Sequence, residues 1–331
     1  MCTGPSRAPV VRAENEGDYR VDAIDEDLDA GVDTRQFAVA VSGHGERLDK
    51  LLVAHAGEFS RSHLQGLIEC GCVCVDGVVS TTASRRLRAG QAVSVELQPT
   101  EESRAFIPEA MTLAIRHEDE HLLVLAKPAG LVVHPAPGNW RGTLLNGLLA
   151  HHGGAMHLPR AGIVHRLDKN TSGLMMVAKS LPAMTALVRA IAAREVHREY
   201  VALVHGDVGA LPLSIEAPIG RDPVSRVRMA VVASGKPAKT DVARVAWRDG
   251  LSAVRCTLHT GRTHQIRVHL ASRGHPLVAD AVYGGKEALG LVRQALHAAR
   301  LRLQHPIADT PMAFDEPLPA DLASAWARVC D

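Results

Sequence analysis

The chain has 331 residues, 46% of them hydrophobic, and a formal net charge of +1, enough for two domains with a sizeable core in at least one. No apolar run approaches the roughly 20 residues that a membrane span needs, and the N-terminus lacks a charged-then-apolar signal pattern, so a cytoplasmic protein with no membrane partner is expected. The near-neutral total hides an asymmetry: residues 1–46 hold ten acidic residues against four arginines, which leaves +7 on the remainder, a mildly basic body compatible with a polyanionic partner.

Residues 1–40 are rich in Asp, Glu, Arg and Gly without apolar periodicity and read as a disordered acidic arm, to which no function attaches. From Arg47 the pattern changes. Leu48, Leu51 and Leu52 recur at helical spacing; Ser60 is placed to cap a second short helix bearing Leu64, Leu67 and Ile68, with Gly71 as its stop. Val73 and Val75, the hairpin signal Asp76-Gly77, Val78-Val79 and a last strand from Ala92 to Leu97 follow. Cys70, Cys72 and Cys74 lack a second cluster at zinc-site spacing, and Cys72 and Cys74 fall on one strand face as small apolar residues, so no metal is expected. The chain's six cysteines are too few and too unevenly spread to staple it and are expected to be free thiols. Two small helices and a hairpin with interspersed arginines make a compact module over residues 47–100. Its segments Arg47-Leu48-Asp49-Lys50-Leu51-Leu52, Ser60-Arg61-Ser62 and Val73-Cys74-Val75-Asp76-Gly77 resemble the S4 RNA-binding domain. The resemblance implies RNA contacts from Arg47, Lys50, Ser60, Arg61 and Arg86.

Residues 98–110 read as a linker, and a second domain is expected over residues 108–331. Leu122 to Leu125 form a short buried strand, and Lys127 to Pro135 make a turn into a second extended piece. Leu144 to Leu149 begin a helix; Ser180-Leu181-Pro182 starts another, with Leu187, Val188 and Ile191 as its apolar face. Arg198-Glu199-Tyr200 opens a strand through Val204. Further strands are expected around Ala243 to Trp247 and Ser252 to Leu258, and Thr260-Gly261-Arg262-Thr263 turns into a helix from His264 to Ala271. Strands with occasional helices and no strict β-α-β repetition give an α+β fold with a large mixed, mainly antiparallel sheet.

Between Ile163-Val164 and Leu174-Met175 lies a polar stretch that can continue neither strand nor helix, so it forms a loop held between rigid elements. Such loops position catalytic side chains, and Asp168 has Arg166 and Lys169 as cationic company. Taken alone, it would as readily cap a turn. Rival chemistries lack their residues. No Gly-x-Gly-x-x-Gly or phosphate loop, no Gly-x-Ser-x-Gly elbow and no His-Glu-x-x-His pair occurs. Asp168 to Gly173 matches the first half of a calcium loop, but the twelfth position holds Lys179 where a bidentate Glu is required.

His165-Arg166-Leu167-Asp168-Lys169-Asn170-Thr171-Ser172-Gly173-Leu174 resembles the signature of the RluA-type pseudouridine synthases. Lys127 to Pro135, Arg198-Glu199-Tyr200, Gly235 to Thr240, Thr260 to His269 and Tyr283-Gly284-Gly285 resemble the family's other blocks, in order, and the likeness spans residues 47–320. It implies a pseudouridine synthase fold behind an S4-like (alpha-L) module. The enzyme it implies isomerises uridine in structured RNA, foremost large-subunit (23S) ribosomal RNA or a pre-ribosomal particle. A transfer-RNA-directed member of the family and a non-enzymatic S4-type RNA-binding or ribosome-assembly factor stand as alternatives. The isomerisation breaks the N1–C1′ bond, turns the uracil over and joins C5 to C1′. Nothing is oxidised and no group comes from outside, so no cofactor is required, and a monomer is expected.

In the family pattern Asp168 is the catalytic carboxylate, Arg267 its partner, and Tyr200 the ring that stacks on the everted base. The carboxylate can attack the sugar, attack uracil C6 or take the 2′ hydrogen, and the sequence leaves these three routes open. Arg166 is implied to hold the RNA in its everted state, with His165, Lys127, Lys236, Arg262 and Leu270 as further substrate contacts. Two departures are visible: Asn170 stands where the signature usually has Asp, and Ala126 replaces a commoner polar residue.

Overall fold

The computed structural model describes residues 33–98, 105–225 and 228–331, so the acidic arm expected over residues 1–40 lies outside the described residues as far as residue 32. Its end is not an arm. Asp33–Ala38 forms strand β1, paired antiparallel along its whole length with β4 (Ala92–Leu97). The expectation of disorder fails there because Phe37 and Val39 have a core to join, the cluster around Leu48, Leu52 and Leu64.

The chain divides after Gln98 into two units. In the first, helices α1 (Leu48–His55) and α2 (Arg61–Glu69) bury their leucines against a four-stranded sheet. The sheet has the order β1-β4-β2-β3, with β2 at Val73–Val75 and β3 at Val78–Val79. The Ser60 hydroxyl accepts from the His63 amide and starts α2. Asp76 and Gly77 both take positive φ, the geometry of a two-residue hairpin turn.

The second unit is built on a nine-stranded sheet. Its strands are β5 (Ala114–Glu118), β6 (Leu122–Lys127), β7 (Ser172–Ala178), β8 (His197–His205), β9 (Leu213–Glu216), β12 (Lys239–Arg248), β13 (Leu251–Leu258), β14 (Leu296–Gln304) and β15 (Pro311–Asp315). The order runs β5-β6-β7-β14-β8-β13-β12-β9, and β15 pairs with β14. β7 and β14 run parallel and the other pairs antiparallel, as a mixed, mainly antiparallel sheet requires. A separate ribbon joins β10 (Ile219–Arg221) to β11 (Met229–Val231).

β6 and β7 read as unbroken apolar runs because both their faces are covered. Leu123, Leu125, Met175 and Val177 enter one core; Leu122, Val124, Leu174 and Met176 enter another, shared with α4 (Leu181–Ala193). α4 starts where the sequence puts it, with the Ser180 hydroxyl as its cap, and buries Leu187, whereas Val188 is exposed: the buried stripe runs through Ala183 and Leu187 instead. The end of the supposed linker is docked rather than free. Ala105 is buried, and the Asn146 amide of α3 (Leu144–His151) donates to the Ala105 and Ile107 carbonyls. The second extended piece after Lys127 joins no strand; the Val132 and Val133 carbonyls accept from Leu144 and Leu145 at the start of α3. Two helices complete the unit, α5 (Gln265–Ser272) and α6 (Ala320–Cys330). Among the described residues no helix is long and apolar enough to cross a membrane, and no cluster of His, Cys, Asp and Glu is arranged for a metal ion.

Candidate active site

The polar stretch forms a loop that folds back along β7. Glycines fix both its ends. A Cβ on Gly162 would sit 1.9 Å from the Ala178 carbonyl oxygen, and one on Gly173 would sit 2.2 Å from that of Ala298; both residues also have positive φ. Leu167 is buried in the core, so its neighbour Asp168 turns outward. Three further contacts hold the loop's descending limb. The Gly130 amide and the Lys127 ammonium donate to the Lys169 carbonyl, and Arg293 donates to that of Asn170.

Asp168 is 15% exposed and accepts from Arg267 Nη1 at 3.0 Å. Arg267 lies on α5, a helix whose first six residues are all buried. Its Nε and Nη2 donate to the two oxygens of Asp280 at 2.7 and 2.9 Å, and its guanidinium stands 4.9 Å over the Tyr283 ring. Burial works against that charge, yet the two carboxylates raise the Arg267 pKa further above the ordinary arginine value. Arg267 is thus a permanent cation, aimed by Asp280 and offered to Asp168.

His264, in the left-handed conformation just ahead of α5, brings Nε2 within 3.9 Å of the other Asp168 oxygen. The Tyr283 oxygen accepts from the Met229 amide, and its own proton is available to His264 Nδ1 at 2.8 Å. Burial lowers the His264 pKa, with the Asp168 charge opposing. The preceding turn is fixed by Gln265, which accepts from Thr260 and the Arg262 amide and donates to Lys239 and Thr240.

Tyr200 sits in a row across four strands, opposite Cys256 and Ala298, with Ala298 opposite Gly173. The register therefore delivers its ring to the loop's end. Burial pushes the phenol pKa up, Arg198 opposing and Asp168 adding, so the hydroxyl keeps its proton at neutral pH. Asp168, Tyr200, Arg267, His264, Arg166 and Arg262 all line one cavity of about 560 Å³, roomy enough for a nucleotide-sized group.

The other expected contacts are placed differently. Lys127 is 1% exposed and gives its three ammonium protons to the Pro128, Leu131 and Lys169 carbonyls, so it braces the loop and has no path to phosphate. Burial draws its pKa down to about 7. Leu270 is wholly buried among core residues and touches no substrate space. Lys236 is exposed, bridges Ile219 and does not line the cavity. His165 does line it, but its Nε2 accepts from the Met176 amide and burial lowers its pKa to about 3, which makes it a neutral strut of the loop. In the first unit Ser60 is exposed and its hydroxyl caps α2, while Arg47 and Arg61 converge on the buried Asp49. Lys50 is exposed beside Glu46, and Arg86 is exposed and holds the Gly45 carbonyl. Asp280, Tyr283 and His264 received no role from the sequence. A buried arginine beside one carboxylate was a cue to seek a second, but nothing around Asp280 marks it.

Comparison with known proteins agrees with this geometry. Residues 121–272 match the model of the RNA pseudouridylate synthase family, and residues 46–93 that of the S4 domain. The chain is 46% identical to ribosomal large subunit pseudouridine synthase D of Neisseria meningitidis serogroup B, over 93% of this chain and 85% of the relative. It is also 46% identical to the protein of that name from Nitrosomonas europaea, over 85% and 83%. Among solved structures, human RNA pseudouridylate synthase domain containing 1 superposes with a TM-score of 0.51 at 28% identity, covering 69% of this chain and 90% of that one. The likeness to RluA-type synthases read from the sequence motifs is therefore borne out: an S4 domain followed by a pseudouridine synthase domain, the chain belongs to the RNA pseudouridylate synthase family.

Proposed function

We propose that in the cytoplasm this protein converts specific uridines of large-subunit ribosomal RNA to pseudouridine, with the Asp168 carboxylate as the reacting group. The observation that carries the reading is the Arg267–Asp168 ion pair inside a cavity that also holds Tyr200. A uridine everted from RNA loses its stacking, and the face of Tyr200 restores part of it. Asp168 then meets the nucleoside with one oxygen held by Arg267 and the other turned to the cavity near His264. With RNA seated over its mouth, the cavity keeps water from the separated sugar and base while the uracil turns over. The C5–C1′ bond forms as the N1–C1′ bond is lost, C5 gives up its proton and N1 gains one, so the balance closes within the substrate. The names of the relatives supply the choice of ribosomal over transfer RNA.

Unmodified large-subunit ribosomal RNA and transfer RNA transcripts, each labelled with tritium at uridine C5, provide the test. The wild-type protein is expected to release label from the ribosomal RNA, and Asp168→Asn to release none while still binding it. Release from transfer RNA alone would move the substrate to the other branch of the family. Full release by Asp168→Asn would remove the carboxylate from the chemistry.

A further inference from the structure

Two buried side-chain atoms among the described residues make no hydrogen bond, Nε2 of His134 and Nε of Arg198, and both residues line the catalytic cavity. Arg198 is the stronger case. The residue is only 5% exposed, and no hydrogen bond or ion pair among the described residues joins its guanidinium to the protein. Arg267, the other buried arginine of the cavity, has two carboxylates. Across the sheet Arg198 faces Leu258 and Leu301, which offer no charge. A Cβ on Gly261 would lie 3.1 Å from its Nη1, so the absence of a side chain there leaves that end of the fork uncovered. An unpaired buried cation is strongly unfavourable unless a ligand pairs it.

We propose that Arg198 binds a backbone phosphate of the RNA beside the everted uridine. The inference rests on the reading of this cavity as the place where uridine is isomerised. Guanidinium only donates, and its planar fork matches a phosphate in two bonds. Uracil is neutral; the anion that RNA brings is phosphate. Arg198 lies two residues before Tyr200 on β8, so both side chains leave the same sheet face about 6.6 Å apart, the scale that separates a base from its own phosphate. The exposed cations of the cavity, Arg160, Arg166, Arg194 and Arg262, meet phosphate in solvent. Arg198 meets it where screening is weak.

The test compares wild type, Arg198→Gln and Arg198→Lys for binding of unmodified large-subunit ribosomal RNA transcript and for single-turnover pseudouridine formation, each over a salt series. Arg198→Gln is expected to bind about tenfold to a hundredfold more weakly, and its plot of log affinity against log salt to flatten by about 0.7 to 0.9. Arg198→Lys should restore the slope and part of the affinity. An unchanged slope in a folded Arg198→Gln protein overturns the phosphate assignment, whether the rate falls or not; a lost rate with that slope would put the contact on uracil. Should Arg198→Gln fail to fold, wild-type protein is given RNA with a neutral methylphosphonate on either side of the modified uridine. Weaker binding at one position supports the proposal, and equal binding at both overturns it. Wild-type protein that forms no pseudouridine on any RNA would sink the functional reading itself, an outcome distinct from an unchanged slope.

Discussion

Arg267 divides its guanidinium unequally, two bonds to Asp280 and one to Asp168. The doubly bonded carboxylate aims the cation; the singly bonded one keeps an oxygen for substrate. Removing the aiming group should therefore damage stability and rate together. Asp280→Ala leaves a cation that is 5% exposed with Asp168 alone, and the cost should approach the roughly 3–5 kcal/mol of a buried charge left wholly unpaired without reaching it. Urea unfolding is expected to show that loss, and turnover to fall with RNA affinity kept, since Asp280 meets no RNA. Asp280→Asn, which keeps the shape and one acceptor, should lose less of both. Tyr200→Phe separates ring from hydroxyl: affinity for RNA should survive on the ring's stacking. If the hydroxyl takes part in removing the C5 proton, single-turnover rate should drop by about a hundredfold; an unaltered rate would leave the ring alone in the mechanism. Asp168, Tyr200 and Arg267 were legible because motifs carry them in a fixed order. Asp280 was not, because it is one acid between alanines whose meaning comes from a neighbour 13 residues away that only the fold makes adjacent. Lys127 misled for the opposite reason, since a lysine in a motif suggests a charge for the ligand and only burial reveals three backbone carbonyls around it.

The loop from His165 to Gly173 works as an element because other elements grip its backbone, and one of those grips depends on protonation. His165 can accept from the Met176 amide only as the neutral imidazole. Its pKa in the folded protein is lowered to about 3 by burial, from an ordinary value near 6.5; that of His134 is lowered to about 4, again first by burial. Between these values and about 6.5 the unfolded chain binds protons that the folded one excludes, so stability falls as pH drops through that window and is whole above it. The urea midpoint of the protein is expected to decline from pH about 6.5 downward, and less steeply in His165→Asn, which keeps an acceptor but does not titrate. Equal slopes for the two proteins would free His165 from the loop's support. Among the other elements, α2 was legible through its Ser60 cap, α4 through the proline in its first turn, and β6 and β7 through apolar runs with both faces buried. The strand β14, central to the sheet, was missed. A bulge between Ala298 and Arg300 breaks its alternation, and Arg300, Arg302 and Gln304 make half of it look like surface. β1 was missed because five of its six residues are polar or small and its one large apolar side chain needs a partner strand to matter.

At the scale of the whole molecule, the two units bring different physics to RNA. In the S4 unit the buried Asp49 accepts from Arg47, Arg61 and Gln65, and the Arg47 hydrogen bonds, against the burial that opposes them, hold its pKa well below the usual carboxylate range. The arginines expected to meet RNA are therefore fixed on one side by Asp49 and left partly open to solvent on the other, which presents charge in a set pattern without enclosing it. Contacts of that sort position RNA through its phosphates and read no sequence. The catalytic cavity, by contrast, holds Asp168, Arg198 and Arg267 largely out of solvent and acts on one nucleotide. Division of labour along the chain follows, and removal of residues 1–98 tests it. The truncated protein is expected to bind large-subunit ribosomal RNA more weakly at moderate salt, with a plot of log affinity against log salt flatter by about 0.7 to 0.9 for each phosphate it no longer neutralises. Its single-turnover rate at saturating RNA should stay within a few-fold of the intact protein. Affinity and slope both unchanged would show that the S4 unit serves something other than RNA. A rate abolished at saturation, with the remaining unit still folded by its unfolding curve, would mean that the first unit takes part in the chemical step, and the two kinds of physics could no longer be assigned to separate halves of the chain.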